Sequence, residues 1–157
     1  MTVQTMIGAG GHVPEFADWW EITRLIARYA QLADAKRYAE MTELFHPDGQ
    51  MLMFRPQAAQ AAEVPQGRDE LMHAFRALDA VPVTSHVLSP SVVEMDGAIA
   101  RVHTNCMAHH ISEAPDGKVR FTLADRYVDT IVRLDGAWVF QERRKYTDWT
   151  ETALLRR

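Results

Sequence analysis

Three side chains in the first part of the chain could together run proton-transfer chemistry: the phenol of Tyr29, the carboxylate of Asp34 and the imidazole of His86. A histidine paired with a carboxylate supplies a base poised near neutrality. A buried phenol can donate a hydrogen bond to an oxygen on which charge develops. Asp34 follows Tyr29 by five residues, about 140° around an ideal helix, so both face one cavity only if the helix ends near Ala33. The following Ala35-Lys36-Arg37 allows such an ending. His86 sits among Thr84, Ser85, Val87 and Leu88, where an imidazole is an unusual strand residue.

The stretch from Ala100 to His110 alternates. Arg101, His103, Asn105, Met107 and His109 share one face of the expected strand, and Ala100, Val102, Thr104, Cys106, Ala108 and His110 share the other. The first face carries more hydrogen-bonding groups and is expected to line a pocket, with Asn105 and Met107 against the substrate. A single β-bulge would exchange His109 for His110, so His110 stays a candidate pocket residue. The small, apolar second face suits packing or a subunit interface.

Other chemistries fit poorly. His103 and His109 lie six residues apart on one strand, roughly 20 Å at ~3.3 Å per residue, so they cannot share an ion. His109 and His110 point to opposite faces, and no His-Glu-x-x-His element occurs. No metal and no cofactor is expected. Ser-His-Asp hydrolysis lacks its nucleophile elbow, and Cys106, the single cysteine, reads as a packed thiol that fits a reducing cytoplasm. The formal charge of -4 disfavours nucleic acid and anionic membranes as partners. Arg143 and Arg144 read as surface ion-pairing groups near a strand end.

The elements that must position these groups follow from periodicity. Ile22, Leu25, Ile26, Tyr29 and Ala33 recur at helical spacing from about Asp18, with Asp18 as N-cap and Glu21 three residues on. A second helix is expected over Tyr38–Phe45, a short strand over Gln50–Phe54, a lid-like loop over Arg55–Gly67 and a third helix over Arg68–Leu78. Turn signals at Asp96-Gly97, Pro115-Asp116-Gly117 and Asp135-Gly136 then separate four long antiparallel strands: Val83–Met95, Ala98–Ser112, Val119–Arg133 and Ala137–Lys145. Trp138 and Phe140 belong to the core. Helices first, then a curled antiparallel sheet, is an α+β cone with a ligand hole between the layers. At 157 residues this is one domain, expected over 16–150, between a flexible leader at 1–15 and a tail at 151–157. Met1 to Val13 resemble neither a signal peptide nor a membrane span.

Several motifs together are distinctive: Ile22 to Gly49 with Arg28-Tyr29-Ala30, Asp34 and Leu44-Phe45-His46-Pro47-Asp48-Gly49; Thr84-Ser85-His86; Asp125-Arg126-Tyr127-Val128-Asp129; Asp135-Gly136-Ala137-Trp138; and Gln141-Glu142-Arg143-Arg144. Over about Phe16 to Trp149 the chain resembles the SnoaL-like branch of the nuclear-transport-factor-2-like superfamily, which includes scytalone dehydratase, bile-acid dehydratases and polyketide cyclases. The resemblance implies Tyr29, Asp34 and His86 as the working group, with a second acid–base residue at His109 or, one slip away, His110. It also implies a small-molecule substrate and a homodimer paired through the outer sheet face. A second tyrosine and a Ser/Asn pair used by scytalone dehydratase have no match here.

Three functions remain open at this point. The first is a cofactor-independent dehydratase acting on a hydroxylated carbonyl or polycyclic or aromatic compound, with His86 as base, Tyr29 on the enolate and His109 protonating the leaving hydroxyl. The second is an aldol-type cyclase or isomerase in which Asp34 is itself the base. The third is a non-catalytic ligand-binding protein or the small subunit of a ring-hydroxylating dioxygenase.

Overall fold

A computed structural model describes residues 12–155. The first helix, α1 (Phe16–Asp34), buries Ile22, Leu25, Ile26, Tyr29, Ala30, Leu32 and Ala33, the stripe that spacings of three and four dictate. It starts one turn before the expected cap. Glu15 is the N-cap and makes no side-chain cap bond, while Asp18 lies in the first turn, where the helix dipole favours a carboxylate. Asp18 reaches instead to the sheet, accepting from Trp138 Nε1 at 3.2 Å and pairing with Arg133.

The C-terminal end of α1 is fixed by its own sequence. Lys36 adopts a left-handed φ of 58°, which stops the helix, and its Nζ donates to the carbonyls of Leu78 and Val81 at 2.6 and 2.8 Å. The last helical residue, Asp34, is thereby held against the chain that enters the sheet. A two-turn helix α2 (Tyr38–Glu43) follows and ends before the predicted Phe45, because that fully buried ring opens β1 (Phe45–Phe54). Within β1 the register shifts between Phe45 and Gln50. Gly49 permits the close approach there: a Cβ on it would sit 2.9 Å from the carbonyl oxygens of His46 and Phe140.

Residues 55–66 fold back along β1 through backbone bonds such as Met53 N to Glu63 O and Met51 N to Pro65 O, both 3.0 Å. Helix α3 (Gly67–Phe75) runs into a 3₁₀ turn at Arg76–Ala80, so two helical segments replace the single helix expected over Arg68–Leu78 and reach slightly past it at both ends. The remaining chain is sheet: β2 (Val83–Leu88), β3 (Val92–Asp96), β4 (Ile99–Ala114), β5 (Gly117–Leu134) and β6 (Ala137–Leu155). The single strand expected over Val83–Met95 is two, both paired to β4. The interruption falls at Ser89-Pro90-Ser91, where a proline has no N–H for the ladder.

The sheet order is β1-β6-β5-β4-β2, with β3 also on β4. Contrary to the all-antiparallel expectation, β1 runs parallel to β6, so the sheet is mixed. The α+β class stands as expected: helices lie on one side of a strongly curled sheet, and Ile22, Ile26, Phe45, Leu71, Ile131 and Phe140 form the centre of the core between them. Strand β6 continues to Leu155 in register with β5, so residues 151–155 belong to the sheet and not to a tail. The expected leader falls mostly on residues 1–11, outside the described residues; His12 already pairs with Met95. No described helix is long and apolar enough to cross a membrane.

Candidate active site

One residue occupies both oxygens of the Asp34 carboxylate. His86 Nδ1 lies 2.6 Å from Oδ1, and the His86 backbone N–H donates to Oδ2 at 2.9 Å. A carboxylate partner places the ring proton on Nδ1 and leaves Nε2 as an acceptor. The imidazole is well buried, its side chain 9% exposed. Burial alone would raise the Asp34 pKa, but the backbone and ring hydrogen bonds from His86 outweigh it and hold the carboxyl below its usual value. The pair joins the end of α1 to the middle of β2, and the Lys36 anchor keeps those two elements together.

His86 opens on a cavity of about 190 Å³. Its polar edge is supplied by Tyr29, His86, His110, Tyr127, Lys145 and Glu63, and its apolar wall by methionines and Phe75. Tyr29 packs edge-on against Phe45, Phe75, Tyr127 and Phe140, and its hydroxyl faces Met51 Sδ at 3.7 Å. Burial pushes the Tyr29 phenol up to about 12, with Arg143 opposing, and pushes Tyr127 up as well. Both remain protonated donors at any ordinary pH.

The structure reverses the expected pocket face of β4. Ala100, Val102, Thr104, Cys106 and Ala108 are buried and His110 lines the cavity, whereas Arg101, His103 and Asn105 are exposed on the opposite face. The reason is packing: the concave side of the sheet must receive a helix, and only small or apolar side chains leave room for it. Asn105 and Met107 therefore stand with Val87 and Trp149 in an outer groove. His109 is outside too, its Nδ1 3.0 Å from Thr122 Oγ1. His110 takes the inner place, its ring 6.5 Å from that of His86. Burial first, then the charges of His86, Lys145 and Lys36, lowers the His110 pKa to about 4, so near neutrality it offers a neutral imidazole.

Arg143, expected at the surface, is fully buried with Asp129 in a two-point pair at 2.8 and 2.7 Å. Its guanidinium lies 4.1 and 4.2 Å from the Tyr29 and Tyr127 ring centres, a cation–π stack beneath both phenols. Arg144 is the surface member, paired with Glu142. A bulge at Thr130/Ile131 inserts one extra residue in β6, so after Phe140 the inward set becomes Arg143, Lys145 and Thr147. The signal available in the sequence was Asp129, which shares a strand face with Tyr127 and Ile131; an inward carboxylate requires a cation. Cys106 is 2% exposed and burial pushes its thiol up to about 11, which suits packing and not nucleophilic attack.

Residues 14–144 match the family model for the SnoaL-like domain. The chain belongs to this family. No curated protein shows significant sequence similarity to it. Among solved structures it is similar to a provisionally assigned scytalone dehydratase from Novosphingobium aromaticivorans, at 24% identity and TM-score 0.74, over 89% of this chain and 90% of that one. It is also similar to a type 2 hexachlorocyclohexane dehydrochlorinase, at 12% identity and TM-score 0.72, over 87% and 89%. A third is the beta subunit of a provisionally assigned aromatic-ring-hydroxylating dioxygenase from N. aromaticivorans, at 17% identity and TM-score 0.69, over 85% and 90%. Of two further similar structures, both are described as having a cystatin-like fold and one of them as NTF2-like. At these identities the likeness is one of fold.

Proposed function

We propose that this SnoaL-like protein is a cofactor-independent lyase that eliminates water from a small β-hydroxy carbonyl compound. The observation that carries the reading is the Asp34–His86 pair at 2.6 Å, with its imidazole on the wall of a cavity that also holds buried phenols. His86 Nε2 removes the proton α to the carbonyl, and Asp34 stabilises the imidazolium that forms. Tyr29 donates to the enolate oxygen. The enolate then expels the β-hydroxyl, which leaves as water after taking the proton back from His86. His110, neutral near pH 7, orients the leaving hydroxyl by a hydrogen bond and replaces His109 in the neighbourhood of the reaction.

Both Asp34 oxygens are occupied by His86, which disfavours the cyclase reading in which Asp34 is the direct base. A cavity of about 150 Å³ holds benzene, so about 190 Å³ suits one substituted ring better than a polycyclic skeleton. A homodimer through the outer groove around Val87, Met107 and Trp149 and a cytoplasmic location, which suits the buried free thiol, complete the reading. The test is a screen of monocyclic β-hydroxy ketones for loss of water. Wild-type protein is expected to turn over at least one, with His86→Gln slower by roughly a hundredfold to ten-thousandfold. Equal rates in the two proteins would remove His86 from the mechanism.

A further inference from the structure

Two ammonium groups stand near the cavity, and they differ in what they touch. Lys36 donates to two carbonyls and serves the fold. Lys145 lies on the cavity wall, in register between Met53 of β1 and Tyr127 of β5, both of which line the same chamber. Its side chain is 22% exposed, and its Nζ is 3.4 Å from Oδ2 of the fully buried Asp125. That contact is ionic only, because Asp125 Oδ2 has no hydrogen-bond partner among the described residues. The other carboxylate oxygen accepts from Thr147 Oγ1 at 2.6 Å.

An ammonium carries three N–H donors, and those of Lys145 are engaged by no protein acceptor among the described residues. Asp125 lets the cation persist in a half-dry wall without using those donors. After burial, the charges of His86 and then Lys145 are the next causes of the lowered His110 pKa, as expected if all three share one chamber. Glu63, the carboxylate on the lining itself, is exposed on the 55–66 loop, where water screens it.

We propose that Lys145 is the anion-binding group of this cavity, and that the substrate is a small ring compound carrying a carboxylate or phenolate oxygen. The ammonium holds that oxygen by a charge-assisted hydrogen bond while His86 reaches the carbon to be deprotonated. This deepens the elimination reading and rests on the same cavity.

Calorimetric binding to the full chain tests it, with benzoate and para-nitrophenolate against their neutral counterparts benzamide and nitrobenzene. The wild type is expected to bind each anion at least about tenfold tighter than its neutral partner, and His86→Gln to keep that ratio. Lys145→Met should bring the ratio close to one. So should the double variant Asp125→Asn, Lys145→Met, which leaves no buried carboxylate alone. A general loss of pocket shape weakens both members of a pair and leaves the ratio intact, so it is not mistaken for loss of the anion site. Equal binding of anions and neutral partners by the wild type, no binding of either anion, or a ratio that survives both Lys145 variants overturns the assignment. Because no turnover is read, an anion preference without elimination removes the dehydratase reading and leaves Lys145 in place; elimination without the preference does the opposite.

Discussion

At the scale of single residues, the inner pair of histidines is divided by environment. His86 gains a carboxylate partner, while at His110, 6.5 Å away ring to ring, burial first and then the charges of His86, Lys145 and Lys36 outweigh the opposing Asp125 carboxylate and take its pKa to about 4. The unfolded chain binds a proton on this group near its ordinary 6.5, and the folded chain does not until about 4. Stability therefore carries no penalty from His110 above that ordinary value and falls as pH drops between the two. Asp34, held low, adds its own loss further down, as pH passes below the usual carboxylate range toward its folded value. Thermal unfolding should show the melting temperature declining between neutrality and pH ~4.5, with His110→Gln flattening that decline. An unchanged slope in the variant would show that His110 is protonated in the folded protein.

At the scale of elements, the site depends on where α1 stops. Asp34 stands behind His86, which shares a chamber with Tyr29, because the helix ends at Asp34 and Lys36 ties its end to the carbonyls before β2. Lys36→Met removes both bonds and should cost about 1–3 kcal/mol in chemical denaturation. It should also lower kcat/KM in elimination, since the Asp34–His86 geometry loosens. An effect on stability without one on rate would mean that the helix end is held by other contacts.

This helix was legible in the sequence, and so was its need to end there, because apolar spacing and the Ala35-Lys36-Arg37 stretch are local signals. The face of β4 was not. Counting hydrogen-bonding groups assigns Arg101, His103 and His109 to the pocket, but the curled sheet wraps a helix and keeps small Ala100, Val102 and Ala108 inside. Strand alternation gave the right two sets of residues, and only the helix packed against them decides which set is inner. Parity failed outright in β6, where one bulge moves Arg143 from solvent to 0% exposure.

At the scale of the whole molecule, the buried Arg143–Asp129 pair joins β5 to β6 beneath Tyr29 and so links the sheet to α1. Removing one partner strands a charge in the core. Arg143→Met alone should destabilise by about 3–5 kcal/mol, measured by urea unfolding. Asp129→Leu combined with Arg143→Met should recover much of this, and an additive loss in the double variant would contradict a paired role.

The proposed elimination turns on one proton transfer, which deuterium exchange reads without needing the right leaving group. With a panel of monocyclic ketones in heavy water, the wild type should exchange the α-hydrogen of at least one compound, followed by nuclear magnetic resonance. His86→Gln and Asp34→Asn should each slow that exchange by roughly a hundredfold or more. Exchange at the wild-type rate in folded His86→Gln would contradict the account.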